Sequence, residues 1–564
     1  MYDTESRHWE RLYAMFVTSR GAPTDYHEKF VGQAKAKKNP DLYSWDEAMS
    51  SPYRAQFLQA ANVEIEALVE HGTWFEDLMR HATNRIVPSQ WVFTIKRTAD
   101  GEIKKFKARL VLRGDLQEYD GETFSPVAAW TTVRFFLIMA MVLQWVTLTI
   151  DFSNAFVQSS LPDDEPVWMK VPRGYTCTKG PEYCLKLKKS LYGHKVAPLL
   201  WFKYISKAFE ELGLKQSEFD PCLWYKDDMM LVQYVDDCGI AAPNKKIIDK
   251  FVQELLDRGF QLTKEGSFSE FLGIKFVDHP DRSIEMTQKG LIQKVLSAAQ
   301  MSDCHPKLLP AAQAALGSDK DGEPMDDSWS YRAICGMLLY LSTNTRPDIA
   351  YAVSQVCRFG HIPTKKHAAA VKTILRYLKG TMDKGTIFRP SQYFTLDLYV
   401  DADYAGLFGQ EDARNPDSVK SRTGYIILLN GCPVVWKSVL QTHISQSTLE
   451  AKYSALTYAL KTFVPLQRIL NEMIQKTKCK ALEGATVHAR VFEDNQGAYY
   501  LATNHKITNR TKYFLCKWHW FWELVDNKVF DIIKCPTDKM LADYLTKQLV
   551  LALYQNNRQG TQGW

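Results

Sequence analysis

The sequence predicts an α+β fold in two parts, and three observations carry that prediction. Between residues 91 and 241 a basic hairpin pattern, an apolar helix-to-strand run and a hairpin with paired acids follow one another. From about residue 393 the order changes to strands first and then strands alternating with helices, the pattern of a separate α/β domain. The length of 564 residues exceeds what one hydrophobic core organises, so roughly two to four domains are expected.

Composition narrows the class. Hydrophobic residues make up 46% and charged residues 24%, a globular balance that excludes a disordered chain. A net charge of +6 permits a nucleic-acid partner only if the cations cluster. The 11 cysteines show no CxxC pair and no zinc spacing, and no signal peptide is evident. The expectation is reduced thiols in an intracellular protein, in a cytoplasmic particle or the nucleus. The run "FFLIMAMVLQWVTLTI" (135–150) is too short to span a bilayer and is interrupted by Gln144, so no membrane partner is expected.

Taken in order, residues 1–73 read as a polar lead-in with one amphipathic helix, its stripe formed by Phe57, Ala61, Ile65 and Leu68. "WVFTIKRTADGEIKKFKARLVLRG" reads as two strands joined by an Asp-Gly turn, with six Lys or Arg residues upstream of Arg113. The apolar run is a buried helix entering a buried strand that ends at Asp151, and a helix follows near 196–213. Residues 303–330, rich in Pro, Gly, Ala and Asp, read as a linker, and two helical segments fill about 331–380. Beyond 393, strands are expected near 395–401, 423–429 and 433–438, then a long helix at about 447–475.

The acids raise the chemical question. In "MLVQYVDDCGIAA" (229–241), Asp236 and Asp237 stand side by side between apolar runs. A plain hairpin turn would accept them. A divalent cation shared with a third carboxylate would also remove their repulsion, and Asp151 in "TLTIDFSNAF" is the candidate third. A strand-end cap facing water is the alternative for Asp151.

The blocks "WVFTIKR", "KARLVLRG", "FSPVAAWTTVR", "DFSNAF", "CLKLKKSLYGHKVAPLLWF" and "YVDD" come in that order. After them come "FLGI", "LLYLSTNTRPDIAYAV", "ILRYLKGT", "SRTGY", "DNQGA" and "LADYLTK". The chain resembles the C-terminal part of a copia-type retrotransposon polyprotein over about 74–549. The resemblance implies a right-hand polymerase with fingers and palm (74–300) and a linker with a helical thumb or connection (301–392). An α/β ribonuclease H-like domain (393–549) and a tail (550–564) would follow. It implies an RNA-directed DNA polymerase that extends a DNA primer with dNTPs on an RNA or DNA template, using Mg2+ or Mn2+, two ions per active site. Asp151, Asp236 and Asp237 would be the polymerase metal ligands. Lys107 and Arg109 would clamp the triphosphate, or else lie on an exposed basic strand. Phe156 would sit under the sugar and exclude a 2′-hydroxyl, unless it is core. Tyr192, Gly193 and Lys195 would hold template base and nucleotide.

For the second domain the resemblance implies a ribonuclease H centre acting on RNA–DNA hybrids, with metals held by Asp401 and Asp494 at strand ends and Asp543 in a late helix. It also implies a glutamate on the first long helix. The family pattern Ser-Ser-Thr-Glu-Ala-Glu-Tyr is here "STLEAKY", so its acidic positions fall on Glu450 and Lys452. Residues two apart on a helix lie about 200° from each other, so only one can face the metals. Spacing favours position 452 and would place an ammonium there, weakening the nuclease unless Glu450 substitutes as the catalytic acid. Tyr513, where the family usually has His, is a milder departure. A catalytically decayed nucleic-acid-binding relic is the alternative reading.

A duplex lying across both sites calls for a basic track with aromatic platforms. In "NHKITNRTKYFLCKWHWFWELV" (504–525), Arg510 and Lys512 are the candidates for phosphate contact, whereas Trp520 and Phe521 read as core. "KKHAAAVKTILRYLKG" (365–380) would touch the duplex or form a solvated helix face. No zinc knuckle, protease block or integrase-like zinc motif is visible, so a partial polyprotein is expected. Homo-oligomers and other polyprotein products are further candidate partners.

Overall fold

The computed structural model describes residues 41–97, 103–312, 314–409, 411, 414–505, 511–513 and 519–564. The Asp-Gly turn at 100–101 lies outside them.

The N-terminal unit holds β1 (Leu42–Tyr43), α1 (Trp45–Ser50), α2 (Arg54–Glu70), β2 (Trp74–Leu78), β3 (Ser89–Arg97) and β4 (Ile103–Leu112). β1, β3 and β4 form one antiparallel sheet. Phe57, Ala61 and Leu68 of α2 pack on it in one cluster with Phe93, Ile95 and Leu110. The stretch 41–73 is thus part of a folded unit, which corrects the lead-in reading: without α2 the hairpin would expose its apolar face.

The next unit is built around a sheet. Its elements begin with α3 (Trp130–Val142), β5 (Val146–Phe152), α4 (Ala155–Gln158), β6 (Val167–Met169), β7 (Tyr183–Leu187) and α5 (Ala197–Glu211). They continue with β8 (Lys215–Gln216), β9 (Leu223–Lys226), β10 (Met229–Tyr234), β11 (Asp237–Ala242), α6 (Lys245–Asp257) and β12 (Leu262–Gly266). The antiparallel sheet runs β12-β5-β11-β10-β9-β8, while β2, β7 and β6 form a separate three-stranded sheet. β10 and β11 are buried on both faces, which their near-continuous apolar sequence demands. α5 and α6 cover one face through Trp201, Ile205, Phe209, Phe251 and Leu255. α3 covers the other through Val133 and Phe136, in one cluster with Met230, Val232 and Ala241.

A smaller sheet follows from β13 (Glu270–Phe271), β14 (Ile274–Asp278) and β15 (Ile284–Thr287), completed by β16 (Thr386–Phe388). Between β15 and β16 lie α7 (Lys289–Ala298), α8 (Tyr331–Asn344), α9 (Ala350–Cys357) and α10 (Lys365–Gly380). Residues 331–380 therefore form three α-helices, not two, because the chain breaks at Arg346-Pro347. There the buried Arg346 guanidinium grips Asp348 (Nη2–Oδ2 2.7 Å, Nε–Oδ1 2.9 Å), and Tyr377 donates to the same carboxylate at 2.6 Å. Two cations of α10 tie down the segment between α7 and α8: Arg376 donates to the His305 carbonyl and Lys379 to the Ser302 carbonyl, both at 2.6 Å. His367 is buried and accepts from the Thr364 amide.

The C-terminal domain contains β17 (Thr395–Asp403), β18 (Arg422–Leu429), β19 (Cys432–Leu440), α11 (Thr448–Lys476) and β20 (His488–Glu493). After these come α12 (Gln496–Asn504), α13 (Trp522–Asp526), β21 (Asp531–Lys534) and α14 (Leu551–Gln562). Its sheet runs β19-β18-β17-β20-β21, with β17 to β19 antiparallel and β20 and β21 parallel to β17. The 550–564 segment is no loose tail. Tyr554 of α14 is buried and donates to the Asp348 carbonyl at 2.9 Å, and the Trp564 indole donates to the Gly385 carbonyl at 2.7 Å.

The two sheets share one core, in which α3 packs against β10 of the first sheet and β19 of the second. Arg134 of α3 is the polar tie at this junction. Its guanidinium donates to the carbonyls of Val434 (2.7 Å), Thr343 (2.6 Å) and Asn344 (2.9 Å) and lies 4.1 Å from the Trp436 ring centroid. Two of those carbonyls end α8, where the helix dipole favours a cation. Glu472 of α11 makes a second tie, accepting from Ser217 Oγ (2.5 Å) and the Glu218 amide (2.8 Å). Replacing Arg134 by Leu strips several buried acceptors of their donor. It is expected to cost roughly 3–5 kcal/mol and to split the calorimetric transition in two. A loss below about 1 kcal/mol with a single transition would contradict this role.

Candidate functional site

β5 and β11 are neighbours, and their register sets Asp151 opposite Asp237. Tyr234 pairs with Asp237 across the β10–β11 hairpin, so Val235 and Asp236 alone form its turn. Val235 sits at φ 53°, a left-handed conformation that costs a β-branched residue roughly 1–3 kcal/mol. Two bonds hold it there. The Trp201 indole donates to the Val235 carbonyl at 2.6 Å, and the Phe152 amide donates to the Asp236 carbonyl at 2.8 Å. The strained turn thus fixes Asp236 against the end of β5, beside Asp151.

The electrostatics follow from this crowding. Burial raises the Asp151 carboxyl, opposed by the charges of Lys107, Lys96 and Arg109. Burial, then repulsion from Asp151, raises Asp236. Lys107 on β4 is pushed down by burial and by its neighbours Arg109 and Lys96, with Asp151 acting the other way. The basic hairpin therefore faces the acids. Their side chains are not drawn into a ready metal cage: among the described residues, no group of three or more His, Cys, Asp or Glu is placed to hold a metal ion. The donor set nonetheless suits a hard dication, since oxygen ligands whose ionisation is disfavoured by burial and mutual repulsion gain from a cation.

A loop of residues 190–195 closes one side. The Arg109 guanidinium lies 5.1 Å from the Tyr192 ring centroid, and Phe156 stands edge-on to Tyr192 at 5.0 Å. The Leu112 amide donates to the Tyr192 carbonyl at 2.7 Å. Gly193 (φ 82°) runs so close to β4 that a Cβ would overlap the Leu112 carbonyl oxygen. Lys195 donates its ammonium to the Gln117 carbonyl at 2.6 Å, so it secures the loop. Sequence reasoning missed Glu64, which accepts from the Leu110 amide at 3.4 Å and sits within the field of Arg109 and Lys107. An acid on the Phe57–Ala61–Leu68 stripe of α2 was the available signal. Trp201 in "PLLWF" was missed because nothing in sequence links it to Val235.

The second set gathers in the C-terminal domain. Asp401 on β17 is only 1% exposed. Lys452 of α11 donates to Asp401 Oδ1 at 2.5 Å and to Asp494 Oδ1 at 2.6 Å. Thr546 takes the other Asp401 oxygen at 2.6 Å. Burial would raise the Asp401 carboxyl, but Lys452 and Lys547 outweigh it and hold the group down to about 2. Burial and the Asp401 charge push Asp543 up to about 7, and its carboxylate meets Lys547 at 3.3 Å. Burial likewise pushes Glu493 up to about 8, against the pull of Lys452. Asp543 opens a short 3-10 turn, not an α-helix. Gly424 of "SRTGY", opposite Asp401 in the sheet, makes room for that turn; a Cβ there would press on Leu545 and Thr546.

Glu450 does not join the cluster. It occupies the first turn of α11, where the Ser447 side chain accepts its amide and its own carboxylate accepts from the Gln446 amide at 2.8 Å. This is a reciprocal capping arrangement, so its candidacy as a catalytic acid is corrected: it faces away because position 452 faces in. The acids present do not fit a metal pair, since both oxygens of Asp401 are already bonded and an ammonium joins it to Asp494. Of the candidate duplex contacts, Lys512 is exposed, with its ammonium 5.3 Å from the Tyr513 ring centroid. Arg510 lies outside the described residues. Phe521 is buried as expected, but Trp520 is partly exposed.

Residues 76–313 match the family model described as reverse transcriptase (RNA-dependent DNA polymerase). The Pol polyprotein from transposon RE1 of Arabidopsis thaliana is 32% identical over 510 residues, 88% of this chain and 33% of that protein. That from transposon TNT 1-94 of Nicotiana tabacum is 32% identical over 520 residues, 89% of this chain and 37% of that protein. An uncharacterized mitochondrial protein of Arabidopsis thaliana is 31% identical over 229 residues, 40% of this chain and 90% of its own length.

The chain belongs to the copia-type retrotransposon Pol family.

It spans about a third of the length of the polyproteins it matches. The reverse transcriptase match in this Pol chain takes in Lys107, Arg109, Asp151, Phe156, Tyr192, Asp236 and Asp237, whereas the Lys452 cluster lies beyond it. Within the 190–195 loop, burial pushes the His194 imidazole down to about 4 from 6.5. The unfolded chain then binds the proton more readily, so this contribution is complete above pH ~6.5 and is lost on acidification towards pH ~4, by roughly 3 kcal/mol. Melting temperature against pH should fall across that window in the wild type and be flatter in His194→Gln; parallel curves would contradict it.

Proposed function

We propose that this chain is an RNA-directed DNA polymerase, adding dNTPs to a DNA primer on an RNA or DNA template. The observation that carries this reading is the pairing of Asp151 with Asp237, Asp236 being pinned beside them by a strained turn and faced by Lys107 and Arg109. Asp151, Asp236 and Asp237 would hold Mg2+ or Mn2+, which lowers the pKa of an attacking 3′-hydroxyl and neutralises the leaving pyrophosphate. Arg109, stacked on Tyr192, presents a planar donor fork suited to bidentate phosphate contact, and Lys107 adds a point charge. Phe156, edge-on to Tyr192, supplies an aromatic wall that would collide with a 2′-hydroxyl. The right-hand division into fingers and palm follows from this reading.

The sheet order β19-β18-β17-β20-β21, with acids at the ends of β17 and β20, supports a ribonuclease H-like reading of the C-terminal domain, and we assign it the holding of an RNA–DNA hybrid, with Lys512 as a phosphate contact. The ten described cysteines, all without disulfides, support an intracellular setting. A relic that binds nucleic acid without polymerising is the second reading, favoured by Lys452 alone.

Primer extension on poly-rA with oligo-dT separates the two readings. Template-dependent dTTP incorporation is expected from the wild type, with a loss of at least about 100-fold in Asp236→Asn. No incorporation by a folded wild type would overturn the proposal. Phe156→Val should raise rNTP incorporation relative to dNTP with dNTP extension retained; an unchanged ratio would show that Phe156 is only core.

A further inference from the structure

We propose that Lys452 is the resident cation of the second acidic cluster, standing where a divalent metal pair would otherwise sit, so that this domain is held together without metal and takes none up.

The geometry supports a filled site. Asp401 gives one oxygen to the Lys452 ammonium (2.5 Å) and the other to Thr546 (2.6 Å), and Asp494 gives an oxygen to the same ammonium (2.6 Å). Lys534 donates to the Asp494 backbone carbonyl, and Lys547 lies 3.3 Å from Asp543. Three amines therefore surround the acids Asp401, Asp494, Asp543 and Glu493. An incoming dication would have to break the bridge and expel the ammonium from a pocket in which the lysine side chain is only 11% exposed.

Glu450 does not rescue a metal site. Glu450 lies two residues from Lys452 on α11 and is engaged as a cap, so it cannot reach without unwinding the first turn. Glu493 gives one oxygen to the Asn495 amide at 2.9 Å, is fully buried, and adds its charge to those facing Lys452. Replacing a carboxylate by an ammonium at position 452 raises the local charge by two, and an ammonium carries donors only, so it can neither ligate a metal nor accept a proton from water. The cluster thus keeps the architecture of a two-metal site with its electrostatics satisfied internally. The C-terminal domain would hold duplex without cutting it, leaving metal demand at the first centre.

The test uses the full chain with the first centre neutralised by Asp151→Asn and Asp236→Asn, which makes the outcome independent of whether that centre polymerises. Mn2+ binding is followed by the loss of its free-ion electron paramagnetic resonance signal. This background is expected to bind no Mn2+ at millimolar concentration. Adding Lys452→Glu should create Mn2+ binding that Asp401→Asn weakens again by roughly 10–100-fold. Mn2+ bound by the Lys452 background and lost on Asp401→Asn would overturn the proposal, as would a folded Lys452→Glu chain that gains no binding. The melting temperature supplies a readout that needs no new fold. In the Lys452 background it should be indifferent to Mn2+, and a stabilisation abolished by Asp401→Asn would count against the proposal.

Discussion

Buried carboxylates at the ends of neighbouring strands repel one another, and the cations and donors placed around both acidic clusters answer that repulsion. In the low dielectric of a sheet end, two such charges at close range are tolerated only with a cation, a proton or strong donors nearby. The chain meets the constraint twice and in different ways. At the first centre, Asp151 and Asp236 keep raised carboxyl pKa values and are balanced only at a distance by the basic strand of Lys107 and Arg109. At the second, an ammonium bonds directly to both acids and holds Asp401 strongly ionised. One centre keeps an unmet demand for positive charge, and the other has satisfied it from within the sequence.

Each centre needs a rigid frame to keep such charges together. For the first, that frame is the hairpin turn at Val235, held in an unfavourable conformation by Trp201 and by the end of β5. For the second it is the parallel pair β17 and β20 with α11 across them, tied to the preceding sheet by Glu472. Arg134 joins the frames, since it caps α8 and holds β19 from a helix that covers the first sheet. The shared core gives the molecule its continuity, and the burial that raises the acids' pKa values is part of the same packing.

Much of this was legible in the sequence. The periodicities located β3, β4, α3, β5 and the first three strands of the C-terminal domain to within a few residues, because their apolar patterns match their burial. The facing of Asp151 and the hairpin acids was one of two readings open for Asp151, and the family resemblance favoured it. The orientation of position 452 was readable from helix geometry, since only one of two residues about 200° apart can face a given site. Other features were not readable. The helix at 54–70 read as part of a lead-in, because the hairpin it covers comes later in the chain. α14 carries few apolar residues, and its burial depends on Tyr554 and Trp564 meeting Arg346, Tyr377 and Gly385 far away in sequence. Trp201 and Thr546 act through contacts over long sequence separations, which no local pattern reveals.

The contrast between the two centres can be seen directly by anomalous diffraction from crystals of the chain soaked in Mn2+ with a primer–template duplex. The account predicts a Mn2+ peak bounded by Asp151, Asp236 and Asp237, and no peak between Asp401 and Asp494, where the Lys452 ammonium should remain. A Mn2+ peak that displaces Lys452, or a first centre without metal when duplex and nucleotide are bound, would contradict it.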